Sequence, residues 1–317
     1  MKNSIPYISV VIAMLIWAGS GIAVKEALVA FSPLTLIVLR FTLAVLLMFC
    51  VGILFRKSEV LGLQRMERKD IVLFMLGGLF QPFLYFIFET YTYQSFVSPT
   101  IAETMLSTQP VLAPIFAWVL LREKVTMNNI IGILISTVGM LILLLVGDGQ
   151  LVIGDSAWGI VKGVLLATLT VSMSVGYSVV LRKIPTKYSS LSIVFYVQLF
   201  SLLLFYPLWV FSCTYNRLSD VAYLIEEVGN TQWITSLLSV GYLSVFSSVI
   251  AFVLFCFTVR YIGVTRANVF NNVRPVFTAF LMLLIFQETL PAWKWAGIII
   301  IILGLFVSQK QEKDSKN

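Results

Sequence analysis

Long apolar runs limit what this chain can fold into. Val10–Val24, Leu34–Phe55 and Ile130–Val146 carry almost no charge and approach or exceed the ~20 residues needed to cross a bilayer core. Overall, 59% of the residues are apolar and 12% are charged, against about 45–50% and about 25% in soluble domains. A backbone in hydrocarbon must satisfy its own hydrogen bonds. The sequence therefore predicts an all-α integral membrane protein.

The apolar segments predict ten transmembrane helices. The spans are 5–24, 33–55, 71–93, 99–121, 127–147, 157–181, 190–212, 232–259, 264–286 and 292–309. Most connections are short, and the two longer ones are 56–70 and 213–231. These lengths leave no room for a domain outside the membrane between the spans.

The chain also repeats itself at an offset of 165 residues. The matched pairs are Pro110 with Pro275, Glu123 with Glu288, Gly132 with Gly297 and Gly139 with Gly304. The offset predicts two five-helix units, residues 1–147 and 148–317. Since each unit has an odd number of spans, the second is inverted in the membrane relative to the first. Inverted repeats are typical of transporters that work by alternating access.

Positive charges are distributed unequally between the two sides of the predicted membrane. The termini and even-numbered loops carry 15 Lys and Arg residues, whereas the odd-numbered loops carry 2. The positive-inside rule therefore predicts that both termini are cytoplasmic and that loop 213–231 is external. The localisation that follows is the cytoplasmic membrane, inner or plasma. The net charge of +7 has this origin and does not indicate nucleic-acid binding.

Several chemistries are excluded by composition. The chain has no histidine, and its three cysteines lie far apart without metal or redox spacing. We therefore expect no catalytic histidine, no metal site and no cofactor. A phosphate-binding loop of the form G-x-x-x-x-G-K-[S/T] is also missing, so nucleotide hydrolysis does not drive the protein directly.

Short motifs along the chain carry a family resemblance. They are Trp17-Ala18-Gly19-Ser20 followed by Lys25; Pro33 with Arg40-Phe41; Ala102, Pro110 and Arg122-Glu123-Lys124; Ala267, Pro275 and Gln287-Glu288; and the four repeated glycines. In this order they resemble the drug/metabolite transporter superfamily, in particular its EamA-type members, over nearly the whole chain. The resemblance implies a secondary carrier. Many members export amino acids and other small metabolites.

Among the ionisable residues inside the predicted spans, four stand out: Arg40, Glu89, Glu103 and Arg274. Charged groups in a bilayer are costly, so each is a functional candidate. At about 1.5 Å of rise per residue, Arg40, Glu89 and Glu103 lie in the outer third of the membrane and Arg274 lies near its middle.

Polar side chains form a stripe on each of two helices. Glu103 and Ser107 repeat at helical spacing on the fourth span, and Asn268, Asn271 and Asn272 do so on the ninth, where Arg274 follows. We infer that these two helices face each other across a central cavity. Pro110 and Pro275 each remove a helical hydrogen bond and are predicted hinges.

These residue types indicate roles in binding and coupling. Arg274 could hold a carboxylate or phosphate, and Glu103 could hold an ammonium, a proton or a sodium ion. Trp17 and Tyr85 could stack on substrate. For Arg40 and Glu89 two interpretations stay open. Both are candidates for coupling or gating, but Arg40 could be a structural cation and Glu89 could reach the lipid headgroups.

The sequence thus predicts a secondary transporter for a small polar metabolite. The preferred substrate is an amino acid or related zwitterion, and an organic anion is the second choice. Its partners would be that substrate, membrane lipids and a coupling H+ or Na+. Proton coupling is reasonable because burial raises the proton affinity of a carboxylate. A flippase for a lipid-linked or amphipathic substrate is the alternative, and an intramembrane enzyme is a remote one. Direction of transport and oligomeric state, a homodimer included, stay open.

Overall fold

The structure is a computed structural model of the 317-residue chain. The residues it describes are 4–58, 61–96, 99–106, 127–145, 157–185, 187–215, 230–262, 267, 270–287 and 291–309. Within them, every regular element is a helix.

The described residues of the first half form six α-helices. They are α1 (Ile5–Ala27), α2 (Pro33–Leu54), α3 (Ile71–Gly78), α4 (Tyr85–Ser95), α5 (Pro99–Leu106) and α6 (Met127–Leu145). Helices α3 and α4 belong to one span, joined by a π-helical turn at Leu79–Leu84. A short 3₁₀ turn, Arg68–Asp70, leads into that span.

Six more are formed by the part of the second half that the structure describes. They are α7 (Ala157–Lys183), α8 (Ser190–Tyr215), α9 (Asn230–Tyr242), α10 (Phe252–Ile262), α11 (Arg274–Phe286) and α12 (Ala292–Gln309). A π-helical segment, Leu243–Ala251, joins α9 to α10. A 3₁₀ turn, Phe270–Val273, precedes α11.

The helices have the length and surface of membrane spans. Among the described residues, six helical stretches are long and apolar enough to cross a bilayer. Their outer faces expose large apolar side chains such as Leu54 and Trp158, at 77% and 74% of their full surface. Such a surface would be an aggregation liability in water. In lipid it needs no cover, because hydrocarbon is as apolar as the side chains.

Helix α1 lies at the centre of the bundle. It contacts α9, the Leu243–Ala251 segment, α10 and α11 on one side and α4 and α5 on another. Its sequence suits this position, because small residues from Ala18 to Gly21 allow neighbouring helices to approach closely. Many of its side chains are buried as a result. A residue of α1 that faces a cavity can therefore lie close to helices from both halves of the chain.

Helices α6 and α12 form a second close pair. At their crossing, a Cβ built on Gly139 would lie 2.8 Å from the carbonyl oxygen of Gly297 and 2.8 Å from the amide nitrogen of Ile301. Only a glycine lets the two backbones come this near. The repeated glycines are thus used for helix packing in this part of the bundle.

One end of the bundle, which we call the basic face, carries residues 55–58, 61–70, 184–185 and 187–189. There the segment before α3 is bonded to the start of α8: Ser189 donates its N–H to Gln64 Oε1 (2.7 Å), and Gln64 donates its own to Ser192 Oγ (2.8 Å). Lys187 Nζ lies 2.5 Å from Glu67 Oε1. The hydrogen bond from the Lys187 ammonium holds the pKa of the Glu67 carboxyl below its usual value. These contacts join the segment before α3 to the start of α8 and the residues that precede it.

Candidate functional site

A cavity lies at two interrupted helices and one 3₁₀ turn. The first interruption is Leu79–Leu84, in which Gln81 leaves the helical region (φ −147°, ψ 114°). The second is the π-helical Leu243–Ala251, and the turn is Phe270–Val273. Pro82 explains the first, because proline has no N–H to donate and its ring clashes with the preceding turn. Broken helices at a repeat interface are typical of transporter binding sites.

The cavity encloses about 510 Å³ of empty space, part of it open to solvent. Its walls combine charged, hydroxyl, amide and aromatic groups. The lining residues are Trp17, Ser20, Arg40, Gln81, Tyr85, Phe86, Glu89, Ser174, Tyr177, Ser247, Phe252, Phe255, Asn271 and Arg274. A mainly apolar and aromatic lining with a few polar and charged groups is typical of small-molecule sites.

Three buried charges share this cavity. Arg40, Glu89 and Arg274 expose only 3%, 4% and 8% of their surface. The sequence argument placed Arg40 and Glu89 nearer one surface and Arg274 near mid-depth, yet all three line the same space. Buried ionic groups in a membrane need partners or a water-filled cavity. The cavity provides that environment.

The Arg40 side chain, on α2, is held by two serines of the Leu243–Ala251 segment. Its Nε donates to Ser248 Oγ at 2.7 Å and its Nη2 donates to Ser247 Oγ at 2.8 Å. The guanidinium also lies over the Phe86 ring, with Cζ 4.4 Å from the ring centroid. A guanidinium has five N–H donors, and these serine contacts use two of them. Arg40 therefore ties α2 to the Leu243–Ala251 segment while it lines the cavity.

Arg274 lies beside Trp17, at the contact between α11 and α1. Its Cζ is 5.8 Å from the centroid of the Trp17 ring. Trp17 is held in turn by a hydrogen bond from Nε1 to the Ser247 carbonyl (3.3 Å) and by edge contact with Phe252. Thr278 Oγ1 donates to the Ala18 carbonyl at 3.1 Å, one turn further along α11. These contacts fix α11 against α1 and thereby position the Arg274 side chain at the cavity.

Glu89 has its first partner on its own helix. The Tyr85 hydroxyl donates to Glu89 Oε1 at 2.9 Å, as residues one turn apart on a helix can. Both residues are buried and line the cavity. A headgroup contact for Glu89 would require an exposed side chain, so its burial favours the inward-facing interpretation.

The predicted site residues fall into two groups. Arg274, Asn271, Trp17, Tyr85, Glu89 and Arg40 are brought together around the cavity. Asn268, Ser107 and Pro110 lie outside the described residues, as do the side chains of Glu103, Asn272 and Pro275. Helix α5, which carries Glu103, contacts α11. Pro275 is the second residue of α11, directly after the 3₁₀ turn.

Sequence reasoning missed eight of the 14 residues that line the cavity. Gln81 had a usable signal, since a Gln-Pro pair inside an apolar run predicts both a polar group and a helix break. Ser247 also had a usable signal, because it belongs to a pair of serines in the middle of a long apolar span. Ser174, Tyr177 and Phe255 gave none, because a serine or an aromatic residue in a membrane helix is usually a packing residue.

Comparison with known proteins agrees with this architecture. The model of the EamA-like transporter family matches residues 4–145 and again residues 161–309. An uncharacterised transporter of Bacillus subtilis (strain 168), YetK, is 27% identical over 97% of this chain and 87% of its own length. The S-adenosylmethionine/S-adenosylhomocysteine transporter of Chlamydia muridarum (strain MoPn / Nigg) is 29% identical over 91% of this chain and 86% of its own.

A solved crystal structure shares the fold. It superposes with a TM-score of 0.60 and covers 96% of both chains at 20% sequence identity. The family match and the named relatives show transporters and no enzymes, so an intramembrane enzyme is set aside. With helices that suit a bilayer, a cavity among broken helices and a family model that matches most of its length, the chain belongs to the EamA-like transporter family of the drug/metabolite transporter superfamily.

Proposed function

We propose that the protein is a secondary active transporter that moves a small zwitterionic metabolite, an amino acid or a close derivative, across the cytoplasmic membrane by alternating access. The observation that carries this proposal is the meeting of two arginines and one carboxylate in a single buried cavity. A substrate with both signs of charge can interact favourably with these buried groups, whereas an apolar substrate would offer them no polar contact.

Arg274 is the proposed anchor for a carboxylate. It has a planar fork of donors that matches a carboxylate in two parallel hydrogen bonds. Asn271 lies three residues earlier on the same turn and also lines the cavity, where its amide can bond the same group. Arg40 has its Nε and one terminal nitrogen bonded to serines, so we assign it to holding the cavity wall and raising its positive potential.

The carboxylates are the proposed partners of the substrate ammonium and of the coupling ion. Glu89 lies in the same cavity as Arg274, which suits the two ends of one zwitterion. Glu103 stays the proposed proton or sodium site on the helix that contacts α11. Protonation of a carboxylate changes its charge inside the membrane, and that change can bias which side the cavity opens to.

The aromatic walls favour a substrate that also has a flat or apolar part. Trp17, Tyr85, Phe86, Tyr177, Phe252 and Phe255 all line the cavity. The relatives named as S-adenosylmethionine/S-adenosylhomocysteine transporters point to one candidate class, since an adenosyl amino acid combines a zwitterion with a flat ring. An organic anion and, with a lateral opening, an amphipathic lipid-linked substrate are the alternatives.

Purified protein in liposomes tests this function. Uptake of radiolabelled S-adenosylhomocysteine, a neutral amino acid and a lipid-linked sugar would be compared in the same preparation, with and without a pH gradient. Saturable uptake of a zwitterion is expected. Saturable movement of only the lipid-linked compound would favour the flippase.

Variants of Arg274 test the site. Loss of a hydrogen bond between charged groups costs about 1.5–3 kcal/mol, so Arg274→Ala should reduce uptake by about 10–100-fold. Arg274→Lys keeps the charge without the fork and should restore it in part. The matched control is Arg68→Ala, which removes an exposed arginine far from the cavity. Unchanged uptake in Arg274→Ala would remove Arg274 from the site.

A further inference from the structure

Beyond the cavity, at the end opposite the basic face, α1 packs against α4 and α5. We call this the Lys25 end; it includes the loop of residues 28–32. The lining residues nearest to it are Ser20 on α1 and Glu89 on α4. One turn beyond them the helices meet in a buried apolar cluster. Its members from these three helices and the residue after α4 are Ala23, Val24, Ala27, Tyr93, Phe96, Ile101, Ala102, Met105 and Leu106.

The ring of Tyr93 fills a notch on α1. A Cβ built on Gly21 would lie 2.9 Å from both Cε1 and the hydroxyl oxygen of Tyr93. The ring thus occupies the space that a side chain at position 21 would need. Tyr93 is 1% exposed, and it stands one turn beyond Glu89 on the same helix. In this position it lies between α1 and α4, beyond the cavity-lining Glu89.

Lys25 holds the two helices together above Tyr93. It lies in the last turn of α1, and its Nζ donates to the carbonyl oxygen of Phe96, which caps the end of α4. The last carbonyls of a helix lack partners within the helix and carry partial negative charge. A lysine ammonium therefore stabilises this helix end only while α1 and α4 stay in contact.

We propose that Lys25, with Tyr93 seated against Gly21, forms the gate that closes the cavity at the Lys25 end. Opening at this end requires α1 to move away from α4. That movement removes Tyr93 from the notch and breaks the bond from Lys25 to the Phe96 carbonyl. The gate consists of one polar latch and one aromatic plug. The latch can be weakened without altering any residue that lines the cavity.

Cysteine accessibility tests the gate and requires no knowledge of the substrate. In protein lacking Cys50, Cys213 and Cys256, a single Ser20→Cys reports access to the cavity. Sealed vesicles of both orientations are treated with a membrane-impermeant maleimide. A separate Val29→Cys protein has its cysteine on an exposed part of loop 28–32. The vesicle orientation in which the reagent labels this protein is the one that exposes the Lys25 end.

Lys25→Met should increase the labelling rate of Ser20→Cys from the Lys25 end by about tenfold, the expected effect of losing one hydrogen bond to a charged donor. Lys25→Gln should behave similarly and serves if the first variant inserts poorly. Lys25→Arg, which keeps charge and donors, should stay near the parent rate. Glu26→Gln changes the charge of the neighbouring residue and should leave labelling unchanged.

Two results would overturn the gate. One is an unchanged labelling rate in both neutral Lys25 variants. The other is an equal increase from both vesicle orientations, because that would mean a general loosening of the bundle. Neither result depends on which metabolite is carried, so the gate can fail while the proposed function stands, and the reverse.

Discussion

Helix packing at Gly139 gives the sharpest quantitative prediction for this bundle. A Cβ there would lie 2.8 Å from two backbone atoms of α12. Backbone atoms cannot rotate out of the way, so Gly139→Ala must separate the two helices. Overpacking of this kind costs about 1–3 kcal/mol. The substitution also gains about 0.8–1.0 kcal/mol of helix propensity, which partly hides the steric cost.

Gly241→Ala is the matched control because it removes the propensity term. Gly241 also lies within a helix, but a Cβ built on it would meet no atom within 4 Å. The same propensity gain applies to both variants, so their difference isolates the clash at about 1–3 kcal/mol. With roughly 2–4 °C per kcal/mol for large domains, the two midpoints should differ by about 5 °C.

The assay is thermal unfolding in detergent, followed by the monodisperse fraction remaining after heating. We expect Gly241→Ala to match or exceed the parent and Gly139→Ala to fall below it. Substrate affinity should change in neither, since neither residue lines the cavity. Equal midpoints for the two variants would refute the reasoning, because they would show that α6 and α12 do not approach as closely as described.

Two further predictions concern coupling and orientation. If Glu103 carries the coupling proton, Glu103→Gln should abolish gradient-driven accumulation while exchange at equal pH survives, and the pH dependence of transport should flatten; a parallel loss of both modes would instead assign Glu103 to the substrate ammonium. For orientation, single cysteines at Ser4 and Val29 should react with an impermeant reagent in intact cells only at Val29, and labelling of Ser4→Cys would reverse the positive-inside assignment.

Much of the fold follows from the sequence because the bilayer reduces the choices. An apolar run of sufficient length must be a helix in hydrocarbon, so α1, α2 and α8 could be placed from composition alone. The 165-residue offset and the ordered motifs indicated a two-unit transporter before any contact was known. Arg274, Asn271, Glu89 and Arg40 could be selected because polar groups in a membrane segment are expensive and therefore rarely accidental.

What surrounds those residues was decided by tertiary structure. Helical periodicity states which face of a helix is polar, but it does not state which other helix meets that face or at what depth. Ser247 and Ser248 accept hydrogen bonds from Arg40 although they lie 207 and 208 residues further along the chain. Tyr93 likewise packs against Gly21 of another helix. Such pairings arise from the crossing of whole helices.

The sequence by itself therefore determined the class of the protein, its spans and its candidate charges, because each depends on local transfer from water to lipid. The three-dimensional arrangement decided that these charges share one cavity and that α1 packs against α4 and α5 beyond it. Those properties depend on the distances between neighbouring helices. Helix breaks at Gln81 and Ser247 and small residues such as Gly21 set these distances, and no single segment of the sequence encodes them.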